Sequence, residues 1–430
     1  MSASASANYV PWWKEPTREQ WLAWWAAWLG WTLDAFDFTI FLLIMVPIAK
    51  EFNVSITAVT AVFTITLWLR LVGATASGWL ADRIGRKKPL MISILWYSIC
   101  NFIAGFSPTF LFLFFFRALL GIGMGAEWPA GASLAMESWP ARSRGLMSGV
   151  LQGSWGLGFL LSSAAYGLLF DSIGWRGLLM IGILPALAVV WIRGYIKEPE
   201  VWVQNRKLQR EQQREMRVPL AAIFKPGRLS NTLTACLWMA SSFVVYYSIN
   251  ALFATHLQRD LNFSPAIVAT TIAIANLMAF LAMGFWGWLA DIIGRRWSMI
   301  IPAFCGVFVA PVYLLTSDPV WVSLGFIVQG FFAGAIYGQN PSYLSERFPT
   351  EVRSTASGFC YHQGAIWGGF VAPILSYFAI SAGVGFGIPM LVGTVGGLIV
   401  FVITLLYGPE TKGALLVPDL GVASTALQAD

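Results

Sequence analysis

The chain has 430 residues, of which 57% are hydrophobic and only 11% charged, with a net charge of +6. A soluble domain carries about 25% charged residues, so this composition excludes a soluble enzyme and points to a polytopic membrane protein. The four cysteines, Cys100, Cys236, Cys305 and Cys360, sit singly in apolar segments, and the only histidines are His256 and His362. No disulfide framework, metal-ligand spacing or cofactor motif is present.

The first twenty residues are polar and carry Trp12, Trp13, Lys14 and Arg18, unlike a cleavable signal peptide. Thr17 and Gln20 read as a capping box that opens the first helix. Apolar runs of about 20 residues, enough to cross a bilayer, then recur near 21–47, 57–80, 89–107, 109–136, 145–170 and 175–196. Six more lie near 232–257, 265–289, 297–317, 319–345, 354–380 and 384–407, with Pro47, Pro108, Pro185 and Pro311 close to run ends. The expectation is an all-α protein of twelve transmembrane helices, divided as a six-helix bundle over 1–196, a linker over 197–231, a second bundle over 232–408 and a tail over 409–430. The linker, rich in Arg and Gln, reads as a solvated tether, with an amphipathic surface helix or regulatory contact as the alternative.

Lys and Arg concentrate on one set of loops, among them Arg83, Arg86, Lys87, Lys88, Arg142, Arg144, Arg295, Arg296, Arg347 and Arg353. By the positive-inside rule both termini are then cytoplasmic, in a multi-pass plasma-membrane protein of bacterial inner-membrane type. The positive charge is therefore a topology signal, and nucleic acid is not an expected partner. The lipid bilayer is, and the chain is expected as a monomer.

A repeat runs through the chain. Gly78-Trp-Leu-Ala-Asp82-Arg83-Ile-Gly85-Arg86 recurs as Gly287-Trp-Leu-Ala-Asp291-Ile-Ile-Gly294-Arg295, an offset of 209 residues (82 to 291). Glu137, Pro140, Arg144 and Ser148-Gly149 match Glu346, Pro349, Arg353 and Ser357-Gly358 at the same offset. Two motifs sharing one offset indicate a parallel duplication of a six-helix unit.

This architecture and loop motif resemble the major facilitator superfamily, whose G-x-x-x-D-R/K-x-G-R-R/K signature stands here as Gly78 to Lys87. The second copy has Ile292 where a basic residue is usual. The resemblance implies a gating role for Gly78, Asp82, Arg83, Gly85, Arg86, Asp291, Gly294 and Arg295, and says nothing of substrate.

Five charges fall well inside the spans: Asp34, Asp37, Arg70, Arg117 and Glu127. A charge at bilayer depth is costly and faces a partner or a water-filled path. Asp34 and Arg70 fall near the same depth, and Asp37 and Arg117 lie slightly outward. The 209-residue offset maps Asp34, Asp37 and Arg117 onto Phe243, Tyr246 and Phe326, so the charge chemistry is confined to one half. The functional reading makes Asp37, with Asp34 and Glu127, proton-coupling groups, and Arg117 and Arg70 receptors for a substrate carboxylate. The alternative is a salt-bridge set that only pins helices together. Trp31, Tyr246, Asn250, Gln339, Asn340, Tyr361 and His362 complete the candidate substrate-binding set. His256 reads as a surface histidine, and the tryptophans from Trp12 to Trp31 mostly as an interfacial belt.

A closer resemblance is carried by Pro11-Trp12, Gln20-Trp21, Ala27 to Gly30, Leu33 to Phe38, Glu51-Phe52, Arg70, Gly125-Ala126-Glu127, Glu137 to Pro140 and Gly358 to Tyr361. These residues look like the sialate:proton symporter family of sialic acid transporters and lactate/pyruvate permeases. The resemblance implies proton symport of a small organic anion such as a monocarboxylate or sialic acid. The chain lacks the two extra mid-chain spans of bacterial sialate transporters. Of the lactate permeases' helix-seven motif it keeps only an echo, Thr255-His256-Leu-Gln258-Arg-Asp260. A carrier of aromatic acids or another metabolite is the alternative within transport. A transport-inactive receptor is the alternative outside it, and a membrane enzyme finds no nucleophile–histidine pair.

Overall fold

The computed structural model describes residues 10–418; the side chains of residues 56, 57, 193 and 265 fall outside the description. The expected absence of a signal peptide therefore rests partly on residues outside the described ones, as does the end of the expected tail.

The N-terminal half comprises α1 (Arg18–Glu51), α2 (Ile56–Ile84), α3 (Lys87–Ala104), α4 (Phe110–Ser138), α5 (Arg144–Ile181) and α6 (Pro185–Tyr195). Between the halves lie α7 (Glu200–Glu211) and α8 (Pro219–Ile223). The C-terminal half comprises α9 (Leu229–Asn250), α10 (Phe253–Thr255), α11 (Pro265–Ile293), α12 (Arg295–Leu314), α13 (Pro319–Gly338), α14 (Asn340–Arg347), α15 (Arg353–Ser381) and α16 (Gly387–Tyr407). These elements make twelve crossings, as expected.

Local chemistry sets the helix ends. Thr17 forms the anticipated capping box: its amide donates to Gln20 Oε1 at 2.8 Å, and its hydroxyl accepts from the Gln20 amide at 3.3 Å. Ser55, Thr109, Ser264 and Asp318 cap α2, α4, α11 and α13 through side-chain oxygens that accept from first-turn amides.

Two stretches differ from the sequence expectation. The fifth and sixth crossings are joined through Gly174, whose φ of 63° turns the chain, so that α5 runs on to Ile181 before α6 begins at Pro185. The tenth crossing is divided between α13 and α14, around Gln339. Pro47 and Pro311 lie in the last turn of α1 and α12, near the helix ends as expected.

The linker is not a plain tether. Asn205, Arg206 and Gln209 of α7 are buried, and the Trp202 indole donates to the Asp82 carbonyl at 3.1 Å. Its polar face packs on polar groups of the bundle, which a reading based on solvation of charged residues does not anticipate. His256 is likewise buried rather than on the surface: it pairs through Nδ1 with Asp260 Oδ2 at 2.8 Å, and Asp260 also accepts from the Phe386 amide at 2.6 Å.

Packing repeats between the halves. α1 lies against α5 as α9 lies against α15, and α2 against α4 as α11 against α13. Across the interface, α2 meets α15 and α5 meets α11, again as an equivalent pair. Glycines permit the closest approaches: a Cβ at Gly73, Gly121 or Gly125 would collide with the backbone of Ile122, Thr66 or Arg70 respectively. Val10 and Pro418, the two ends of the described residues, lie on one face, the terminal face.

Candidate transport site and terminal-face gate

On the terminal face each half ties down a helix N-terminus of the other. Asp82, at the end of α2, accepts from the Ser354 and Thr355 amides at 3.0 and 2.9 Å and from the Thr355 hydroxyl at 2.7 Å, which caps α15. Arg86 holds Asp82 at 3.1 Å and grips Glu137 through Nε and Nη2 at 2.9 and 2.6 Å. Arg353 completes the set by donating to Glu137 at 2.6 Å. In the second copy, Asp291 accepts from the Gly145 and Leu146 amides at 2.9 Å each, which caps α5. Arg295 bridges Asp291 and Glu346, and Arg144 reaches Glu346 at 3.2 Å. A carboxylate at a helix N-terminus satisfies orphan amides and meets the positive end of the helix dipole.

Gly78 belongs to this contact because its Cβ would press on the Thr355 backbone at 2.6 Å. Gly85 and Gly294 adopt φ of 106° and 101°, a region that favours glycine. Arg83 stays outside the ties and lies over the Trp79 ring, 5.5 Å from its centroid.

Two further carboxylates escaped the sequence reading. Glu198 accepts from the Arg86 and Lys87 amides at 2.7 and 3.1 Å, and Glu410 from the Arg295 and Arg296 amides at 2.8 and 3.1 Å. Their common signal is a glutamate beside a proline after the last span of each half, Glu198-Pro199 and Pro409-Glu410. Burial raises the Glu198 carboxyl above the ordinary glutamate value, opposed by the Arg86 and Lys87 amides and the Arg86 charge.

Beyond the ties, between the halves, lies a cavity of about 170 Å³. From the N-terminal half it is lined by Trp31, Phe38, Arg70, Gln152 and Trp155, and from the other by Phe243, Tyr246, Tyr247, Tyr337, Tyr361 and His362. Arg70 donates to Asp34 Oδ1 at 3.2 Å and to Met124 Sδ at 3.3 Å, and lies over the Phe38 and Trp155 rings at 4.7 and 5.7 Å. Its Nε, the Trp31 indole nitrogen and Gln152 Oε1 have no hydrogen-bond partner among the described residues.

His362 Nδ1 lies 3.1 Å from the Gly358 carbonyl. A carbonyl only accepts, so Nδ1 carries the proton, and in a neutral ring Nε2 is left as an acceptor. Tyr361 stacks on Trp128 at 4.0 Å and receives a hydrogen bond from Gln152 Nε2 at 3.4 Å. The Tyr337 hydroxyl donates to the Ser242 carbonyl.

Asp37 and Arg117 are both fully buried and are joined through a residue that sequence reasoning missed. Asn101 donates through Nδ2 to Asp37 Oδ1 at 3.1 Å and accepts from Arg117 Nη1 at 3.0 Å. Arg117 lies over the Phe41 ring at 4.3 Å and does not line the cavity. Glu127 is buried with both carboxyl oxygens unpartnered among the described residues, close enough to Gly30 that a Cβ there would sit 2.5 Å from Oε1.

Of the candidate binding residues, Trp31, Arg70, Tyr246, Tyr361 and His362 meet in the cavity. Asn250 borders a smaller adjoining space of about 90 Å³. Gln339 and Asn340 lie instead at the junction of α13 and α14, where Gln339 contacts Ser342 and the Gly145 carbonyl. Their mid-span position in the sequence concealed the break in the helix.

A family model for the Major Facilitator Superfamily matches residues 27–252 and 235–421. The chain belongs to the major facilitator superfamily. It is 29% identical over 423 residues to a probable 4-methylmuconolactone transporter of Cupriavidus pinatubonensis, covering 96% of this chain and 95% of that protein. It is 26% identical over 386 residues to the sialic acid transporter NanX of Escherichia coli K12, covering 89% and 93% respectively. Among solved structures, the proton:xylose symporter XylE bound to 6-bromo-6-deoxy-D-glucose superposes with a TM-score of 0.73 at 18% identity, covering 93% of this chain and 98% of XylE. This superfamily chain is thus a membrane transporter of small organic solutes, and not an enzyme.

Proposed function

We propose that this transporter takes up a small organic anion together with protons, by alternating access across a bacterial inner membrane with both termini in the cytoplasm. The observation that carries this reading is Arg70, a cation that lines the cavity while its counter-ion Asp34 stays fully buried behind it. An anion that takes the guanidinium leaves Asp34 without its counter-charge, and a proton then neutralises the stranded carboxylate. Asp37 with Arg117, bridged by Asn101, and the unpartnered Glu127 extend the proton-bearing set within the same half. The paired ties of Asp82 and Asp291 support reading the terminal face as the closed cytoplasmic gate. The cavity then faces outward, ready to load.

Lactate, pyruvate, N-acetylneuraminate and benzoate, added singly to proteoliposomes in a weakly buffered medium, test this reading with a pH electrode. External alkalinisation that requires both protein and one anion supports it. Silence with all four in sealed vesicles overturns it.

A second reading, uptake of an aromatic or ring-bearing acid, is favoured by the cavity walls. Ten of the eighteen lining residues are Phe, Trp or Tyr, which suits a flat apolar body with a carboxylate on Arg70. One relative is named for 4-methylmuconolactone and another for sialic acid, both small organic solutes. Under this reading, benzoate gives the alkalinisation and lactate does not.

A further inference from the structure

Cys236 of α9 and Cys360 of α15 stand 124 residues apart in the sequence. The fold brings their sulfurs to 3.7 Å, in thiol–thiol contact. Each lies seven residues into its helix, so the two helices present them at one depth. The pair is also braced: Gln363 Nε2 donates at 2.8 Å to the Cys236 carbonyl and at 2.8 Å to the Cys360 carbonyl. Arg347, fixed by Asn231 and Thr234, lies within electrostatic range of both sulfurs, and its Nη1 has no partner among the described residues. A thiolate formed here has a positive charge to face.

The two thiols are unequal in access. Cys236 is partly exposed and Cys360 fully buried, the division of labour of an attacking and a resolving cysteine. We propose that Cys236 and Cys360 form a dithiol modification site that closes to a disulfide when a small-molecule disulfide RSSR reaches Cys236, bracing α9 against α15. Cys236 thiolate attacks one sulfur of RSSR, giving a mixed disulfide and RS⁻, which takes up the proton Cys236 gave. Cys360 thiolate then attacks Cys236 Sγ, expels the second RS⁻, and its proton follows. Two protein thiols and one RSSR become one protein disulfide and two RSH.

The consequence reaches the cavity directly. Tyr361 and His362 follow Cys360 on α15, and Phe243, Tyr246 and Tyr247 lie two to three turns beyond Cys236 on α9. A bond at this point fixes the two helices that carry these walls.

The test uses purified full-length protein and 4,4′-dithiodipyridine as RSSR, read by peptide mass and by hydrogen–deuterium exchange, and needs no transported substrate. In the wild type, the Cys236 and Cys360 peptides become joined with loss of two hydrogens and no retained thiopyridine. In Cys360→Ser, Cys236 retains the thiopyridine; in Cys236→Ser, Cys360 stays a free thiol. Exchange in peptides of 229–250 and 353–381 slows at least twofold on oxidation and recovers with dithiothreitol. Thiopyridine retained on Cys236 in the wild type, or an unreacted pair, overturns the site. A joined pair with unchanged exchange overturns the brace.

Discussion

Asp34 and Arg70 are paired at 3.2 Å with almost no exposure. Separating such a pair leaves a charge stranded at a cost of about 3–5 kcal/mol, so an entering anion must replace the bond it breaks. Arg70→Lys keeps the charge but loses the planar fork, and is expected to raise the KM for the transported anion about tenfold with little change in protein yield, as read by initial uptake rates. Asp37→Asn is expected to abolish pH-driven accumulation while leaving exchange of labelled for unlabelled substrate largely intact. Accumulation against a gradient by this variant removes Asp37 from the coupling path. The Asp34–Arg70 contact was legible in the sequence, because two opposite charges at matched depth have few other partners. Asn101 was not: an uncharged amide inside a span carries no signal until its two charged neighbours are seen in space.

Among the elements, α2 and α4 show how small residues decide contact. Gly73, Gly121 and Gly125 let two backbones touch along successive turns. Gly125→Val is therefore expected to cost about 3 kcal/mol, visible as a lower apparent Tm in detergent and a smaller monodisperse fraction on gel filtration. The twelve crossings were readable as apolar runs, and the duplication as motifs at one offset. The fate of the linker was not. The face of α7 that packs on the bundle carries Asn205, Arg206 and Gln209, and a polar face bound to a polar surface has the same pattern as one in water. The division of α13 from α14 did leave a signal, Gly338 followed by Gln339, Asn340 and Pro341, a helix stop and a proline at a new start, which a reading of 319–345 as one span absorbs.

For the whole molecule, the terminal face is closed by two equivalent ties, Asp82 onto α15 and Asp291 onto α5. Each aspartate makes charge-assisted bonds to backbone amides, and losing the charge costs on the order of 1 kcal/mol. Asp82→Asn is expected to shift the population toward an open terminal face. Spin labels at Lys88 and Trp297, exposed equivalents in the two halves, report this as a longer mean distance. Asp291→Asn produces a shift of the same sign, and the double variant approximately sums them, since the two ties share no partner.

The reciprocity of these ties has the form of an isologous dimer interface, in which a patch on one subunit meets the same patch on the other. Here the two subunits are one chain, and most contacts that join the halves do not pass through the linker. Residues 10–196 and 229–418, produced as separate polypeptides, therefore retain the surfaces needed to find each other. A fused dimer can also do what a true one cannot, which is to change one copy alone. Asp34 faces no carboxylate twin, because its counterpart is Phe243, so both copies present rings to the cavity while one alone keeps the buried charges.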